Sequence, residues 1–202
     1  MKESNLTAED VASVLSLPDG VDPLTFNPYG AGVDAAKALA VEKVSQQVMS
    51  VVNSFAAAAE GAGASKADAF KTSMKSFVEV IKTKATSNDK TIDLTNSTDL
   101  DLIKNKVATE VTTVSGVNTT AFNTLASDTT TAIKNVNDKI KSVTDLSSDS
   151  SKNVFATTQV LKDQIKTAVT TEVSSAGTGG GSLTFKNSSA VDTASANKAP
   201  TD

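Results

Sequence analysis

The chain contains no cysteine, histidine, tryptophan or arginine; all nineteen of its basic residues are lysine. Without Cys or His, the usual zinc, iron–sulfur and copper centres cannot be assembled. Cys–His and Ser–His nucleophile pairs are excluded for the same reason. Without Cys there is also no disulfide framework, and hence no direct report on the redox compartment. The missing guanidinium removes the bidentate fork that grips phosphates and carboxylates. Net charge is −4 and the isoelectric point near 4.9, a balance that argues against a nucleic-acid partner, whose affinity begins with phosphate neutralisation. Exclusive use of lysine is also what an AT-rich genome produces. No stretch approaches the ~18 consecutive apolar residues of a membrane span, so no membrane insertion is expected. Met1-Lys2-Glu3-Ser4-Asn5 is not followed by an apolar run, and no secretory signal is visible there.

Large apolar side chains are few. Val, Leu, Ile and Phe make up 47 of 202 residues, just above the level of roughly 20% below which chains tend not to fold. Ser and Thr supply 51, so the core must draw on Ala, Val and Thr methyls, and modest stability per residue is expected.

The pattern along the chain is helical. Thr7 with Asp10 three positions on reads as an N-cap opening a short helix to about Leu17, stopped by Pro18-Asp-Gly20. Residues 18–32 hold three of the four prolines and three glycines and read as a loop, whose Val21, Leu24, Phe26 and Tyr29 are expected to pack on the body. From about Asp34, apolar residues recur at spacings of three and four: Val41, Val44, Val48, Val51 or Val52, Phe55 and Ala59 in one helix, and Phe70, Met74, Phe77, Ile81 and Ala85 in the next. Gly61-Ala-Gly63 separates them, a connection short enough for an antiparallel hairpin. A polar loop over 87–97, with Ile92 and Leu94 touching the body, leads to three further stripes. These are Leu100–Val114; Phe122, Leu125, Thr129, Ala132 or Ile133, Val136, Ile140 and Val143; and Val154 or Phe155 through Leu161 and Ile165 to Val173. Thr129-Thr-Thr131 would favour strand in isolation, but the sustained helical spacing outweighs it.

The expected fold class is therefore all-α: an antiparallel helical bundle of about five amphipathic helices plus a short N-terminal helix, with a disordered C-terminal linker. The expected organisation is 1–33 as short helix and packed loop, 34–175 as bundle, and 176–202 as a Gly/Ser-rich linker leading to a missing β-domain. Gly177-Thr-Gly-Gly-Gly181 starts that linker, and the residues after it lack a core pattern. Leu183-Thr-Phe185 has the composition of a short strand.

Chemistry is sparse. Asp93, Asp99 and Asp101 come closest to a cation site, but no EF-hand spacing is present and acidic residues in a first helical turn serve the macrodipole. Asp19-Gly20 and Asp22-Pro23 suit turns. Gly30-Ala-Gly32 before a helix lacks the Lys-Ser/Thr and preceding strand of a phosphate loop. Lys71, Lys75, Lys82 and Lys84 read as a solvated helix face rather than a membrane-binding one. The Asn-x-Ser/Thr triplets at Asn5, Asn96, Asn118 and Asn187 are expected by chance in this composition. No catalytic, cofactor-binding or metal residues are expected, and no enzyme.

Two segments carry a resemblance. Val14-Leu-Ser-Leu-Pro-Asp-Gly-Val-Asp-Pro-Leu-Thr-Phe-Asn-Pro-Tyr29, followed by a helix containing Val44-Ser-Gln-Gln-Val48, resembles a segment of very long bacterial surface and secreted proteins of the cadherin-like, RTX-adhesin kind. Asn197-Lys-Ala-Pro-Thr-Asp202 resembles the lead-in to a cadherin-like β-sandwich repeat. The resemblance implies a helical segment truncated at the start of such a repeat, extracellular or at the cell surface (otherwise cytoplasmic). Its role would be that of a non-catalytic structural or spacer module. Its partners would be the adjoining domains of the parent chain, or itself through helix packing. The alternative is a self-assembling helical filament or fibre subunit, suggested by the heptad-like spacing of 119–175.

Overall fold

A computed structural model describes residues 6–175 and 179–197. The described residues are all-α, a bundle of seven α-helices and one 3₁₀ turn with no strand. They are α1 (Ala8–Val14), α2 (Ala35–Gly61), α3 (Lys66–Thr86), α4 (Ser97–Val111), α5 (Thr119–Lys141), α6 (Asp149–Ser174), the 3₁₀ turn Thr184–Lys186, and α7 (Ser188–Asn197).

The first six helices each begin at a short polar side chain that accepts an otherwise unpaired backbone N–H of the first turn. Thr7 and Asp10 form a reciprocal capping box, Thr7 Oγ1 accepting from Asp10 N at 3.0 Å and Asp10 Oδ2 from Thr7 N at 2.9 Å. Asp34, Ser65, Asn96, Asn118 and Ser148 each accept one first-turn N–H for α2 to α6, without the reciprocal bond. Helix α1 ends at Val14, earlier than the apolar pattern suggests, because Ser16 takes a left-handed conformation (φ 52°). Leu17 N then bonds Ala12 O and Ser16 N bonds Ser13 O, the paired bonds of a Schellman stop with serine where glycine is usual.

Helix α2 is central, packing against α3, α5 and α6. That position explains why Phe55 and the whole run Ala56–Ala59 are buried rather than a single stripe. Successive long helices alternate in direction, so one pole gathers the start of α2, the end of α5 and the loop after α3. There Lys43 Nζ donates to Lys141 O (2.9 Å), and Lys141 Nζ to Asp93 Oδ2 (3.1 Å). At the other pole Asn118 N donates to Ala62 O (2.7 Å). Fully buried Leu100, Ile103, Phe122, Ile133, Ile140, Leu161 and Ile165 fill the space between. Thr129 and Thr130 remain helical and buried, Thr130 Oγ1 bonding Ala126 O at 3.0 Å.

Helices approach closely wherever small residues allow it. Ser73 Oγ donates to Val52 O (2.7 Å) across α2 and α3, with Ser50, Ser54 and Ser76 also buried. This corrects the stripe expected for α3. Its buried face runs through Ala69, Ser73, Ser76, Phe77, Val80 and Ile81, while Phe70, too bulky for that seam, is 41% exposed. Gly61 does the same for α2 and α6, lying against the backbone at Lys166.

The C-terminal expectation is corrected more substantially. Residues 179–197 are not a disordered linker: the chain turns back from α6, makes a 3₁₀ turn where Leu183-Thr-Phe185 suggested a strand, and forms α7 against α5 and α6. Leu183, Phe185 and Val191 are buried, and Asn135 Nδ2 donates to Phe185 O and Lys186 O at 2.9 and 3.0 Å. The remainder of the expected linker, 176–178 and 198–202, lies outside the described residues. Lys139 Nζ meets Asp192 Oδ1 at 2.8 Å, so α7 descends to the pole that also holds α1, whose Val14 O accepts from Ile92 N (2.9 Å).

Candidate functional site

Ionisable groups concentrate at this shared pole. Lys84, at the end of α3, is buried, and its ammonium bridges Asp89 Oδ2 (2.7 Å) and Asp99 Oδ1 (2.9 Å). Burial pushes its pKa down, but the hydrogen bonds to Asp89 and Asp99 outweigh that and hold it above the ordinary lysine value. The other oxygen of Asp99 accepts from Asp93 N at 2.9 Å. Asp93 Oδ1 accepts from both Thr95 N (2.8 Å) and Thr95 Oγ1 (2.6 Å), while its Oδ2 meets Lys141. Partial burial raises the Asp93 pKa; the Thr95 bonds and Lys141 more than reverse this, leaving it below the ordinary aspartate value.

Of the three carboxylates singled out by the sequence, the fold thus joins Asp93 and Asp99 and leaves Asp101 apart, paired with Lys104 (2.7 Å) one turn along α4. Ammonium and backbone N–H groups take up the oxygens of the joined pair. Among the described residues no group of three or more acidic side chains is placed to hold a metal ion. Asp22 closes a turn on Leu24 N (2.9 Å), and Asp19 O accepts from Lys37 Nζ (2.7 Å). Gly30 and Gly32 lie in the turn before α2, whose N-terminus is already capped by the Asp34 carboxylate. Lys75 pairs with Glu110 (2.7 Å), whereas Lys71 and Lys82 are exposed. Asn96 and Asn118 are helix caps, Asn187 accepts from Ser189 N at the start of α7 (3.2 Å), and Asn5 lies outside the described residues.

Beside the network a cleft of about 420 Å³ opens between the end of α1, the first turns of α2 and residues 91–94. Leu15, Ala40, Val44, Ile92 and Leu94 supply apolar walls, and Ser16, Lys43, Gln47, Asp93 and Lys141 supply polar groups. Gln47 Nε2 donates to Asn137 O (3.1 Å) and Asn137 Nδ2 to Leu94 O (2.8 Å), which fixes the floor. Lys43 is half-buried, and desolvation holds its pKa below the ordinary lysine value.

A second polar feature lies at the far end of α6. Glu172 is fully buried. Its carboxylate oxygens accept from Gly179 N and Gly181 N, each at 2.9 Å. These backbone bonds, Gly181 first, then Gly179, hold its pKa below the ordinary glutamate value against the opposing effect of burial. Gly181 is required sterically, since a Cβ there would sit 2.4 Å from Ala168 O and 2.7 Å from Leu125 Cδ1, whereas Gly179 meets no such contact and takes a left-handed φ of 87°. Sequence reading missed this anchor, although a signal exists. Glu172 continues the stripe Leu161, Ile165, Ala168 or Val169 at helical spacing, a charge on an apolar face just ahead of a glycine run.

Compared with known protein families, curated proteins and solved structures, the chain has no match.

Proposed function

We propose that this chain is a non-catalytic structural module of a large bacterial cell-surface or secreted adhesin-like protein, presenting neighbouring β-domains. The observation that carries this reading is the use the fold makes of its best-placed ionisable groups. Lys84, Asp93, Asp99 and Lys141 tie the 87–96 loop to three helices, and Glu172 fastens the return segment to α6. Each such carboxylate accepts hydrogen bonds that hold the fold together, which is what a module selected for shape requires.

The adhesin context comes from the residues at 14–29 and 197–202. Within it, the common pole of α1 and α7 has a geometric meaning. Flanking domains attached there would lie side by side, with the bundle standing off the array as a branch rather than adding its length to it. Sequencing the gene past the codon for Asp202 tests the reading. An alternating apolar strand with calcium-binding Asp/Asn motifs is the expected result; an immediate stop codon overturns it.

A further inference from the structure

We propose that the cleft at the shared pole is a binding site for a small organic monocarboxylate. The anionic head would be held by the ammonium groups of Lys43 and Lys141, and a short apolar body would lie against Leu15, Val44 and Ile92. Its volume, about 420 Å³, falls within the roughly 300–1,000 Å³ of small-molecule sites, which are mostly apolar with a few converging polar groups.

Electrostatics selects the sign of the ligand. Two ammonium groups and one carboxylate line the cleft, and that carboxylate, Asp93, already accepts from Thr95 and Lys141. Lys43 differs from the other half-buried lysines near carboxylates. Lys106 pairs with Glu79 and Glu110, Lys134 with Asp138, and Lys139 with Asp192. Lys43 has no salt bridge among the described residues, and its ammonium donates instead to the neutral carbonyl of Lys141. A desolvated cation with no counter-ion is costly, and an anion entering the cleft would supply one.

The same inventory selects the ligand class. A net of one positive charge matches a monoanion better than a phosphate dianion, and no guanidinium is present to fork onto phosphate oxygens. Leu15, Val44 and Ile92 favour an apolar tail over a sugar or polyol. Ser16, held in its left-handed conformation, is part of the lining; backbone strain of this kind clusters at ligand sites. A free short-chain acid and the C-terminal carboxylate of a peptide with an apolar last residue offer the same chemistry.

The test is a nuclear magnetic resonance titration of the isotope-labelled full chain with hexanoate, with hexylamine as a cation of the same tail, and with acetyl-leucine as a mimic of a peptide end. Saturable shifts at the Leu15, Val44 and Ile92 methyls are expected for at least one of the acids and not for hexylamine. The tighter of the two acids identifies the source. Lys43→Met should weaken binding about tenfold or more, the loss of a charge-assisted hydrogen bond. Ala40→Leu, which narrows the cleft from α2 one turn before Lys43 and Val44 without removing a charge, should weaken it comparably. Non-saturating shifts with both acids, equal response to hexylamine, or unchanged affinity in both variants would overturn the proposal. The ligand comparison on the unsubstituted chain decides even where a variant folds poorly.

Discussion

Gly61→Ala sets two physical effects against each other. Helix propensity and unfolded-chain entropy alone favour alanine by up to ~1 kcal/mol, and by less at the last residue of a helix. Packing opposes it. A Cβ at this position would lie 2.7 Å from Lys166 O and 3.0 Å from Val169 Cβ, where ordinary contact begins near 3.4 Å. The first of these partners is backbone and cannot rotate away, so α2 and α6 would have to separate by about 0.7 Å, the difference between the two distances. Both helices are buried along this seam, Val169 fully. Overpacking of this size costs roughly 1–3 kcal/mol, leaving a net destabilisation of about 1–2 kcal/mol after the propensity gain. For a chain of this length that lowers the melting temperature by roughly 2–8 °C. Far-UV circular dichroism melts, with a urea titration whose slope should not change, measure it. A melting temperature equal to or above that of the parent would refute the reasoning, because propensity would then have prevailed over packing.

Ser16→Gly should act in the opposite direction, raising stability by about 1 kcal/mol, since glycine occupies the left-handed stop of α1 without strain; the same melts test it, and no gain would mean that the serine conformation costs little. Glu172→Gln should leave α1 to α6 intact yet accelerate hydrogen exchange in 183–195, because an amide cannot accept from both Gly179 N and Gly181 N as the carboxylate does; unchanged exchange would show that Leu183 and Phe185 alone hold the segment. Acid should mimic that change. The Glu172 pKa is lower folded than unfolded, so its contribution is fully present above the ordinary glutamate value and is lost as pH falls through the depressed folded value. Exchange or tryptic susceptibility of 183–195 followed downward from neutral pH would reveal it, and a profile flat to below that range would argue against the anchor. Gly181→Ala should release the same segment at every pH, since its Cβ would strike Ala168 O; an unaltered exchange pattern would contradict the close packing.

The positions of α2 to α6 were legible from apolar residues at spacings of three and four, and that of α1 from Thr7 and Asp10; the structure adds side-chain caps at Asp34, Asn96, Asn118 and Ser148. The buried face of α3 was less so. Phe70 falls in register with Phe77, and only the small-residue seam with α2 shows that it must turn outward. The return segment was invisible for a different reason. Beyond Lys186 its local pattern offers little besides Val191, and it docks because Glu172, Leu125 and Asn135 await it on other helices. The pole cleft is likewise a product of topology: Ser16, Lys43, Ile92 and Lys141 are distant in sequence, and no local pattern joins them.

The common pole of α1 and α7 also sets how the chain would respond to tension. Pulled by residues at that pole, the bundle is loaded in a peeling geometry. Force falls on one peripheral helix at a time, α7 with its Lys139–Asp192 contact or α1 with its bond to Ile92, while the seam around α2 stays unloaded. Helices that leave singly break few contacts at once, so extension would proceed at low force in small steps and store length on the order of 600 Å once the chain is drawn out. Such a bundle would behave as a shock absorber, lengthening under load before any more rigid element attached to it gives way.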